Sequence, residues 1–174
     1  MPSHVLLDTR LDGLALVRRG KVRDVYAVGD QLIMVATDRI SAFDYVLGSG
    51  IPDKGRILNQ LSAIWFGRTS HIVPNHLIST NVDDYPAEAR QYRSQLEGRS
   101  SLVRRTNPLP VECVARGYIS GSGWKDYLAT GEVCGITLPA GLRESDPLPE
   151  VMFTPRSEEH TSELQSRLHL VCRL

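Results

Sequence analysis

Two prolines separated by a single residue interrupt the second half of the sequence, in the segment Asn-Pro-Leu-Pro at positions 107–110. Proline donates no amide hydrogen bond and restricts the residue before it, so this segment cannot continue a regular helix or strand. We therefore predict a linker or hinge there, with one domain at residues 1–107 and a second that begins at residue 108. A chain of 174 residues is long enough for two small domains.

The first domain opens with three β-rich segments, at residues 14–18, 22–27 and 31–36. Gly20 and the Gly29-Asp30 pair lie between these segments, and such residues are typical of tight turns. Because short turns join neighbouring antiparallel strands, this pattern predicts an antiparallel meander.

Apolar residues recur at helical spacing after Gly55, which predicts an amphipathic helix from residue 56 to about residue 69. We expect its apolar side to cover one face of the sheet; that side consists of Ile57, Leu58, Leu61, Ile64 and Trp65. The later sequence predicts a polar helix, a strand, a second strand and a short helix that ends before Gly131. These elements would lie at residues 86–96, 100–105, 111–116 and 123–129.

The charge balance limits the partners that we expect. Lys and Arg total 20, as do Asp and Glu, so the formal net charge is +0. Nucleic-acid and anionic-membrane binders carry a broad basic field, and we therefore predict neither partner. No apolar run approaches 18 residues, so we expect neither secretion nor a membrane span. Three dispersed cysteines are too few for a disulfide framework or a cysteine zinc site and indicate a cytoplasmic location.

Residues 156–174 differ in character from the proline-rich stretch before them. Positions 156–166 resemble a sequencing-library adapter translated in one frame, so we expect a non-native tail after Pro155. The alternative is an amphipathic C-terminal helix, because Leu164, Leu168 and Val171 follow helical spacing.

The first polar motif that indicates chemistry is Gly20-Lys21-Val22-Arg23. Side chains alternate along a strand, so Lys21 and Arg23 would project from one face, beside a glycine. Two such cations can bind a polyphosphate, and each charge-assisted hydrogen bond contributes about 1.5 to 3 kcal/mol where water is excluded. A solvated strand face near a hairpin turn is the alternative. The sequence contains neither the P-loop nor the dinucleotide-binding glycine pattern.

A second polar motif follows the apolar strand that ends at residue 36. Asp38, Arg39, Ser41 and Asp44 offer both signs of charge, which suits a zwitterionic ligand in a cleft at a strand end. Aspartate and serine also satisfy nearby backbone donors, so a self-capped turn is the alternative.

The third motif, Arg116-Gly-Tyr-Ile-Ser-Gly-Ser-Gly, joins a predicted strand to a predicted helix. If Ser122 caps the helix, free backbone amides and the Arg116 guanidinium converge, and this arrangement suits a phosphate monoester. The guanidinium should dominate the affinity, because a helix terminus contributes only about 0.3 to 1 kcal/mol. Alternatively, the glycines only end a strand and start a helix.

Together these motifs resemble the SAICAR synthetase family, over nearly all of residues 10–155. The segment LPVECVARGYISGS fits the family's signature, with Glu112, Arg116, Gly121 and Ser122 in place. The other segments that carry the resemblance are GKVRDVY, TDRISAFDYVLGSGIPDKGRILNQLS and LPEVMFTP. The resemblance implies an α+β, two-lobed fold related to protein kinases and ATP-grasp enzymes. An antiparallel β-rich N-terminal lobe at residues 1–107 would bind ATP, and residues 108–155 would begin an incomplete substrate-binding lobe.

The resemblance also implies a ligase of purine biosynthesis. Such an enzyme uses ATP to condense L-aspartate with 5-amino-1-(5-phosphoribosyl)imidazole-4-carboxylate, and it releases SAICAR, ADP and phosphate. Its partners are these small molecules, and a homo-oligomer is compatible with the resemblance.

The family's roles transfer residue by residue. Gly20, Lys21 and Arg23 would bind the ATP phosphates, and Glu112 and Cys113 would contact the adenine. Arg116 and Ser122 would hold the 5′-phosphate of the imidazole ribonucleotide, so that Lys21, Arg23 and Arg116 carry the catalytic roles. Three further residues would lie beside the substrates: Asp38, Ser41 and Asp44.

One family signature, D-x-K-x-E-F-G, does not occur in this sequence. Its acidic groups bind Mg²⁺ in the family, so we expect the metal ligands in a C-terminal part that this chain lacks. Lys21 and Arg23 alone cannot compensate the triphosphate charge, so the chain by itself would be weakly active or inactive. The alternative function is a non-catalytic fragment that at most binds nucleotide or phosphosugar.

Overall fold

The computed structural model describes residues 5–42, 45–107 and 111–157, with the backbone alone at residues 112, 156 and 157. These residues form two compact units, one that ends at Asn107 and one that comprises residues 111–157. Both units combine helices with antiparallel strand pairs, as predicted for an α+β fold.

The sheet of the first unit contains β1 (Ala15–Arg19), β2 (Arg23–Val28), β3 (Gln31–Ala36), β6 (Leu77–Ser79) and β7 (Ser100–Arg104). Its strand order is β1-β2-β3-β7-β6, and all neighbours are antiparallel. Outside this sheet, β4 (Arg39–Ala42) pairs with β5 (Tyr45–Gly50). The predicted meander is confirmed, because β1, β2 and β3 are consecutive and joined by tight turns.

Short helical turns cover the hydrophobic core of this sheet. They are the 3-10 turn Val82–Asp84, α2 (Ala87–Arg90) and α3 (Arg93–Leu96). The predicted helix at residues 86–96 is thus two single turns. Tyr92 lies between these turns and packs against the core. The sheet contributes Ile33, Val35 and Leu102 to this core, and the turns contribute Val82, Tyr85, Ala89 and Leu96.

The helix α1 (Lys54–Thr69) forms where the sequence predicts it, but the side that it turns inward is the opposite one. Its buried residues are Gly55, Asn59 and Ser62. Of the five residues of the predicted apolar side, Leu58 is half-buried and the other four are exposed: Ile57, Leu61, Ile64 and Trp65. The Asn59 side chain donates to the Ser100 carbonyl at 3.0 Å and accepts from the Ser101 hydroxyl at 2.8 Å. These polar contacts fix the inward side, so the expectation of an apolar contact face was wrong.

The second unit is built on β8 (Val111–Tyr118), which pairs with β11 (Pro147–Ser157). Between them lie α4 (Gly121–Thr130) and a small hairpin of β9 (Glu132–Val133) and β10 (Ile136–Thr137). The helix α4 ends at Gly131, whose φ of 74° lies in the left-handed region that glycine tolerates best. The strand β11 continues two residues past Pro155, and residues 158–174 of the predicted tail lie outside the described residues.

Candidate functional site

The glycine-flanked motif forms the turn between β1 and β2. The Gly20 amide donates to the Arg23 carbonyl at 2.7 Å, which closes the turn, and β2 begins at Arg23. Lys21 is exposed and Arg23 is half-buried. Lys21 lies in the turn and not in a strand, so strand alternation does not apply to this pair, and the expectation that the two side chains share one face stays a prediction.

The carbonyls of this turn are bound by two residues that follow β3. Arg39 donates from Nε to the Lys21 carbonyl at 3.0 Å and from Nη2 to the Gly20 carbonyl at 2.8 Å. Thr37 donates to the Val22 carbonyl twice, from its hydroxyl at 2.9 Å and from its amide at 3.1 Å. Three consecutive carbonyl oxygens are therefore held against the body of the first unit.

The Arg39 guanidinium is itself neutralised inside the protein. It lies 2.7 Å from the buried Asp24 carboxylate, and it also donates to the Leu7 carbonyl at 2.5 Å. Asp24 in turn accepts from the Thr9 hydroxyl at 2.6 Å. The side chain of Arg39 is only 8% exposed. Its inward direction is inconsistent with the expectation that it helps to bind a zwitterionic ligand.

Asp38 lies fully buried beside the start of α1. Its carboxylate accepts from the Leu6 amide at 2.7 Å and the Gly55 amide at 2.9 Å, and it pairs with the Arg99 guanidinium at 2.9 Å. Burial acts to raise the pKa of Asp38, but these amide and guanidinium donors outweigh it, so the pKa lies below its ordinary value of 3.8. The carboxylate joins three segments of the first unit, and its expected place beside the substrates stays a prediction.

The remaining residues predicted beside the substrates are less informative. Ser41 is half-buried in β4, where it pairs with Val46. Asp44 lies outside the described residues.

In the second unit, Arg116 near the end of β8 reaches the start of α4. Its Nη2 donates to the Ser122 hydroxyl at 3.0 Å, its Nη1 to the Ser120 carbonyl at 3.3 Å, and its Nε to the Thr154 hydroxyl of β11 at 3.1 Å. A Cβ added at Gly123 would lie 3.5 Å from Arg116 Nε, so the first turn of α4 passes close to the guanidinium. Arg116 and Ser122, both selected from sequence, are brought into direct contact.

The N-cap of α4 differs from the prediction. Ser120, and not Ser122, occupies this position, with no hydrogen bond from its side chain to the helix. Gly121 follows with a φ of 58°, a conformation that glycine adopts readily. Ser122 therefore lies in the first turn, where its hydroxyl contacts the guanidinium, and first-turn amides of α4 lie near a positive charge.

Of the residues predicted to contact adenine, Cys113 is half-buried in β8, paired with Pro155. The side chain of Glu112 lies outside the described part of the structure. Their predicted roles stay predictions.

Sequence reasoning missed Thr154 and His76. Thr154 is separated by 38 residues from the arginine that it contacts, and an isolated threonine in a strand carries no local signal of such a role. Burial lowers the pKa of His76, and the nearby positive charge of Arg23 lowers it further. His76 is therefore a neutral group near Arg23, one of the predicted phosphate-binding cations.

Within residues 5–42, 45–107 and 111–157, no three His, Cys, Asp or Glu side chains lie close enough together to hold a metal ion. Among the helices that the structure describes, none is long and apolar enough to cross a membrane.

Known proteins match most of this chain in sequence. The family model for SAICAR synthetase matches residues 16–167. Phosphoribosylaminoimidazole-succinocarboxamide synthase of Geotalea uraniireducens is 60% identical over 156 residues, which is 90% of this chain and 53% of that protein. The Geobacter sulfurreducens protein of the same name is 58% identical over 161 residues, which is 92% of this chain and 54% of its own length.

Solved structures give the same result. A SAICAR synthase from Saccharomyces cerevisiae, complexed with SAICAR, has a TM-score of 0.81 and 44% sequence identity, over 95% of this chain and 58% of the yeast chain. A SAICAR synthetase in complex with ADP has a TM-score of 0.57 at 23% identity, which shows a shared fold. The chain spans about half the length of the curated relatives it matches. It belongs to the SAICAR synthetase family.

Proposed function

We propose that this chain supplies the nucleotide-binding and phosphosugar-binding residues of an ATP-dependent ligase. The ligase condenses L-aspartate with 5-amino-1-(5-phosphoribosyl)imidazole-4-carboxylate to give SAICAR, ADP and phosphate. The observation that carries the proposal is the Arg116 guanidinium, held by Ser122 and Thr154 at the first turn of α4. The names of the relatives and the SAICAR in the yeast structure support the substrate class.

Residues 108–155 would bind the imidazole ribonucleotide. Arg116 and Ser122 offer a guanidinium and a hydroxyl at the N-terminus of a ten-residue helix, whose dipole also favours a negative charge. A phosphate monoester can accept hydrogen bonds from all three sources. The guanidinium contributes most, because a charge-assisted hydrogen bond is worth about 1.5 to 3 kcal/mol.

Residues 1–107 would bind ATP through the turn between β1 and β2. Lys21 and Arg23 supply positive charge there, and the Gly20 amide closes the turn by donating to the Arg23 carbonyl. Glu112 and Cys113 would contact the adenine. The ADP named with one relative supports the use of a nucleotide by the family.

The reaction requires activation of the imidazole carboxylate. A carboxylate oxygen attacks the γ-phosphorus of ATP, the bond to ADP breaks, and an acyl phosphate forms. The amine of aspartate then attacks the carbonyl carbon of this acyl phosphate and loses a proton. Phosphate leaves and carries with it the oxygen that came from the imidazole carboxylate. The residues of this chain bind and orient the two phosphate-bearing molecules, and such positioning and charge neutralisation supply most of the rate in phosphoryl transfer.

The Mg²⁺ that the family resemblance implies does not fit a site among the described residues, which hold no suitable cluster of three ligands. We propose that its ligands lie in the part of the relatives that this chain does not span. A cytoplasmic location also belongs to the proposal, in line with the low cysteine content.

The proposal is tested by binding measurements on the 174-residue chain with a pair of reciprocal variants. Lys21→Ala should weaken the binding of ATP roughly ten-fold or more, because one phosphate-binding cation is lost. The same variant should leave the binding of the imidazole ribonucleotide unaffected. Arg116→Ala should show the reverse pattern. If each variant lowers the affinity for both ligands equally, or lowers the affinity for neither, the assignment of the two sites is wrong.

Turnover is then measured as ATP-dependent consumption of L-aspartate. Binding of both ligands without turnover supports the alternative of a non-catalytic fragment. Appreciable turnover by the 174-residue chain rejects that alternative.

A further inference from the structure

Three consecutive peptide carbonyls of the turn between β1 and β2 are bound by side chains from outside the turn. Arg39 binds the Gly20 and Lys21 carbonyls at 2.8 and 3.0 Å, and the Thr37 hydroxyl binds the Val22 carbonyl at 2.9 Å. Arg39 and Thr37 are 6% and 1% exposed, so both donors act from within the protein. The binding of successive carbonyls from one side fixes the orientation of each peptide group in the turn.

This orientation matters for an anionic ligand. A peptide carbonyl oxygen carries partial negative charge and repels a phosphate oxygen, whereas peptide N–H groups and ammonium groups attract it. When the carbonyls of residues 20–22 point to buried donors, their partial negative charge is neutralised away from the exposed Lys21 side chain. Carbonyl oxygens that are held by buried donors would repel an approaching polyphosphate less than carbonyl oxygens that point to solvent.

The charge of Arg39 is fixed in the same arrangement. Its Nη2 bonds the Asp24 carboxylate at 2.7 Å, and Asp24 is fully buried. The Arg39 guanidinium donates to three carbonyl oxygens and to a buried carboxylate, so protein groups already accept its hydrogen bonds and balance its charge without a ligand. Its role is therefore to position the turn and not to contact the phosphates.

We propose that Arg39 and Thr37 are positioning residues for nucleotide binding: they hold the carbonyls of residues 20–22 inward so that the turn can accept the phosphates of ATP. This inference rests on the proposed function, in which the same turn binds ATP. It adds residues that touch neither ATP nor the reacting atoms.

The test compares ATP binding by the full 174-residue chain and four variants. Thr37→Val removes the hydroxyl donor, keeps the shape of the side chain and leaves the Val22 carbonyl with the amide of residue 37 alone. We expect ATP to bind about five-fold more weakly, which corresponds to the loss of one neutral hydrogen bond. Thr37→Ser keeps the hydroxyl and should restore binding to within about two-fold of the original chain. Arg39→Gln should weaken ATP binding at least as much as Thr37→Val does.

Arg19→Gln is the matched control. Arg19 also lies beside Asp24, at 3.5 Å, and donates to the Thr9 carbonyl at 3.0 Å. It thus shares the acidic partner of Arg39 without the contacts to the Gly20 and Lys21 carbonyls shown above. We expect ATP binding within about two-fold of the original chain, so a general loss of charge around Asp24 is separated from a loss of the turn's orientation.

Hydrogen exchange at the amides of Gly20 and residue 37, which donate to the Arg23 and Val22 carbonyls, provides a readout that does not depend on ATP. Exchange there should rise in Thr37→Val and return to the original rate in Thr37→Ser. Arg39→Gln leaves Asp24 buried without its closest cation, which is strongly destabilising. If that variant fails to fold, the pair Thr37→Val and Thr37→Ser decides the inference.

The outcomes separate the two proposals. If Lys21→Ala leaves ATP binding unchanged, the proposed nucleotide site is wrong, and the inference falls with it. If Lys21→Ala weakens ATP binding but Thr37→Val and Thr37→Ser both bind ATP as tightly as the original chain, only the inference is overturned. Affinity for the imidazole ribonucleotide, measured on the same samples, should stay unchanged in every folded variant.

Discussion

The Nε of Arg116 donates to the hydroxyl oxygen of Thr154 at 3.1 Å, and that hydroxyl donates in turn to the Val114 carbonyl at 3.0 Å. Thr154 is 3% exposed, so its hydroxyl has a fixed direction and offers its oxygen to the guanidinium. The two outer nitrogens of Arg116 point to the first turn of α4. The strand β11 therefore orients the guanidinium that we assign to the sugar phosphate.

This relationship predicts that Thr154→Val weakens binding of the imidazole ribonucleotide several-fold, about 1 kcal/mol, because Arg116 loses one of its orienting acceptors. Thr154→Ser keeps the hydroxyl and should bind the ribonucleotide nearly as the original chain does. Titration calorimetry measures both affinities, with ATP as the control ligand. Equal losses in the serine and valine variants would show that the hydroxyl does not orient Arg116.

The close approach of α1 to β3 predicts a large stability effect at Gly55. A Cβ at this position would lie 2.8 Å from the Ala36 carbonyl carbon and 3.0 Å from the Thr37 carbonyl oxygen. Because backbone atoms cannot move aside cheaply, Gly55→Ala should lower the free energy of unfolding by about 1 to 3 kcal/mol. Urea unfolding followed by circular dichroism measures this change.

Gly67→Ala is the control for that measurement, in the same helix. A Cβ at Gly67 meets no heavy atom within 4 Å, and alanine has the higher helix propensity. This variant should raise the free energy of unfolding by about 0.5 to 1 kcal/mol. Similar effects of the two substitutions would contradict the observed packing of α1.

The inward polar side of α1 predicts an inverted pattern of substitution costs. Asn59→Ala removes a buried hydrogen bond to Ser100 and a partly buried one from Ser101, and should cost about 1 to 3 kcal/mol of unfolding free energy. Ile57→Ala, at a position that is 62% exposed, should change it by less than about 0.5 kcal/mol. Thermal unfolding of both variants measures the difference; a larger cost at Ile57 would mean that α1 turns its apolar side inward.

The lowered pKa of Asp38 predicts a loss of stability in acid. The folded pKa lies below the ordinary value of 3.8 expected for the unfolded chain, so the unfolded state binds a proton first as the pH falls. The stabilisation from ionised Asp38 is therefore complete well above pH 4 and is lost as the pH falls through the folded pKa.

Asp38→Asn tests this pH dependence. At neutral pH this variant should lose about 3 to 5 kcal/mol of unfolding free energy, because Arg99 would stay buried without its carboxylate. Its unfolding free energy should also change less between pH 5 and pH 2 than that of the original chain. Asp12→Asn, at an exposed position, is the matched control and should change the unfolding free energy at neutral pH by less than about 0.5 kcal/mol. An unchanged slope in Asp38→Asn would contradict the role of this carboxylate.

The sequence predicts those parts of the fold that depend on local signals. Turn residues at Gly20 and Gly29 predict the meander, and Gly131 predicts the end of α4. The side of α1 that packs inward could not be predicted, because Asn59 finds its partners 41 residues further along the chain. Helical periodicity shows that two sides differ in polarity, but it does not show which side finds partners.

The candidate site shows the same division. Arg116 and Ser122 are six residues apart, and a strand-turn-helix motif predicts their approach. Arg39 was selected for its charge, but its direction depends on Asp24 and on the carbonyls of a turn 18 and 19 residues away. Such contacts follow from the register of the sheet and are not encoded in a local pattern.

The central claim is that the Arg116 guanidinium binds the 5′-phosphate of the imidazole ribonucleotide. The most direct test measures the affinity of the 174-residue chain and of Arg116→Ala for the ribonucleotide and for the same nucleoside without its phosphate. We expect Arg116→Ala to weaken binding of the ribonucleotide about ten- to hundred-fold and to leave binding of the nucleoside unchanged. An equal loss of affinity for both ligands, or no loss for either, would contradict it.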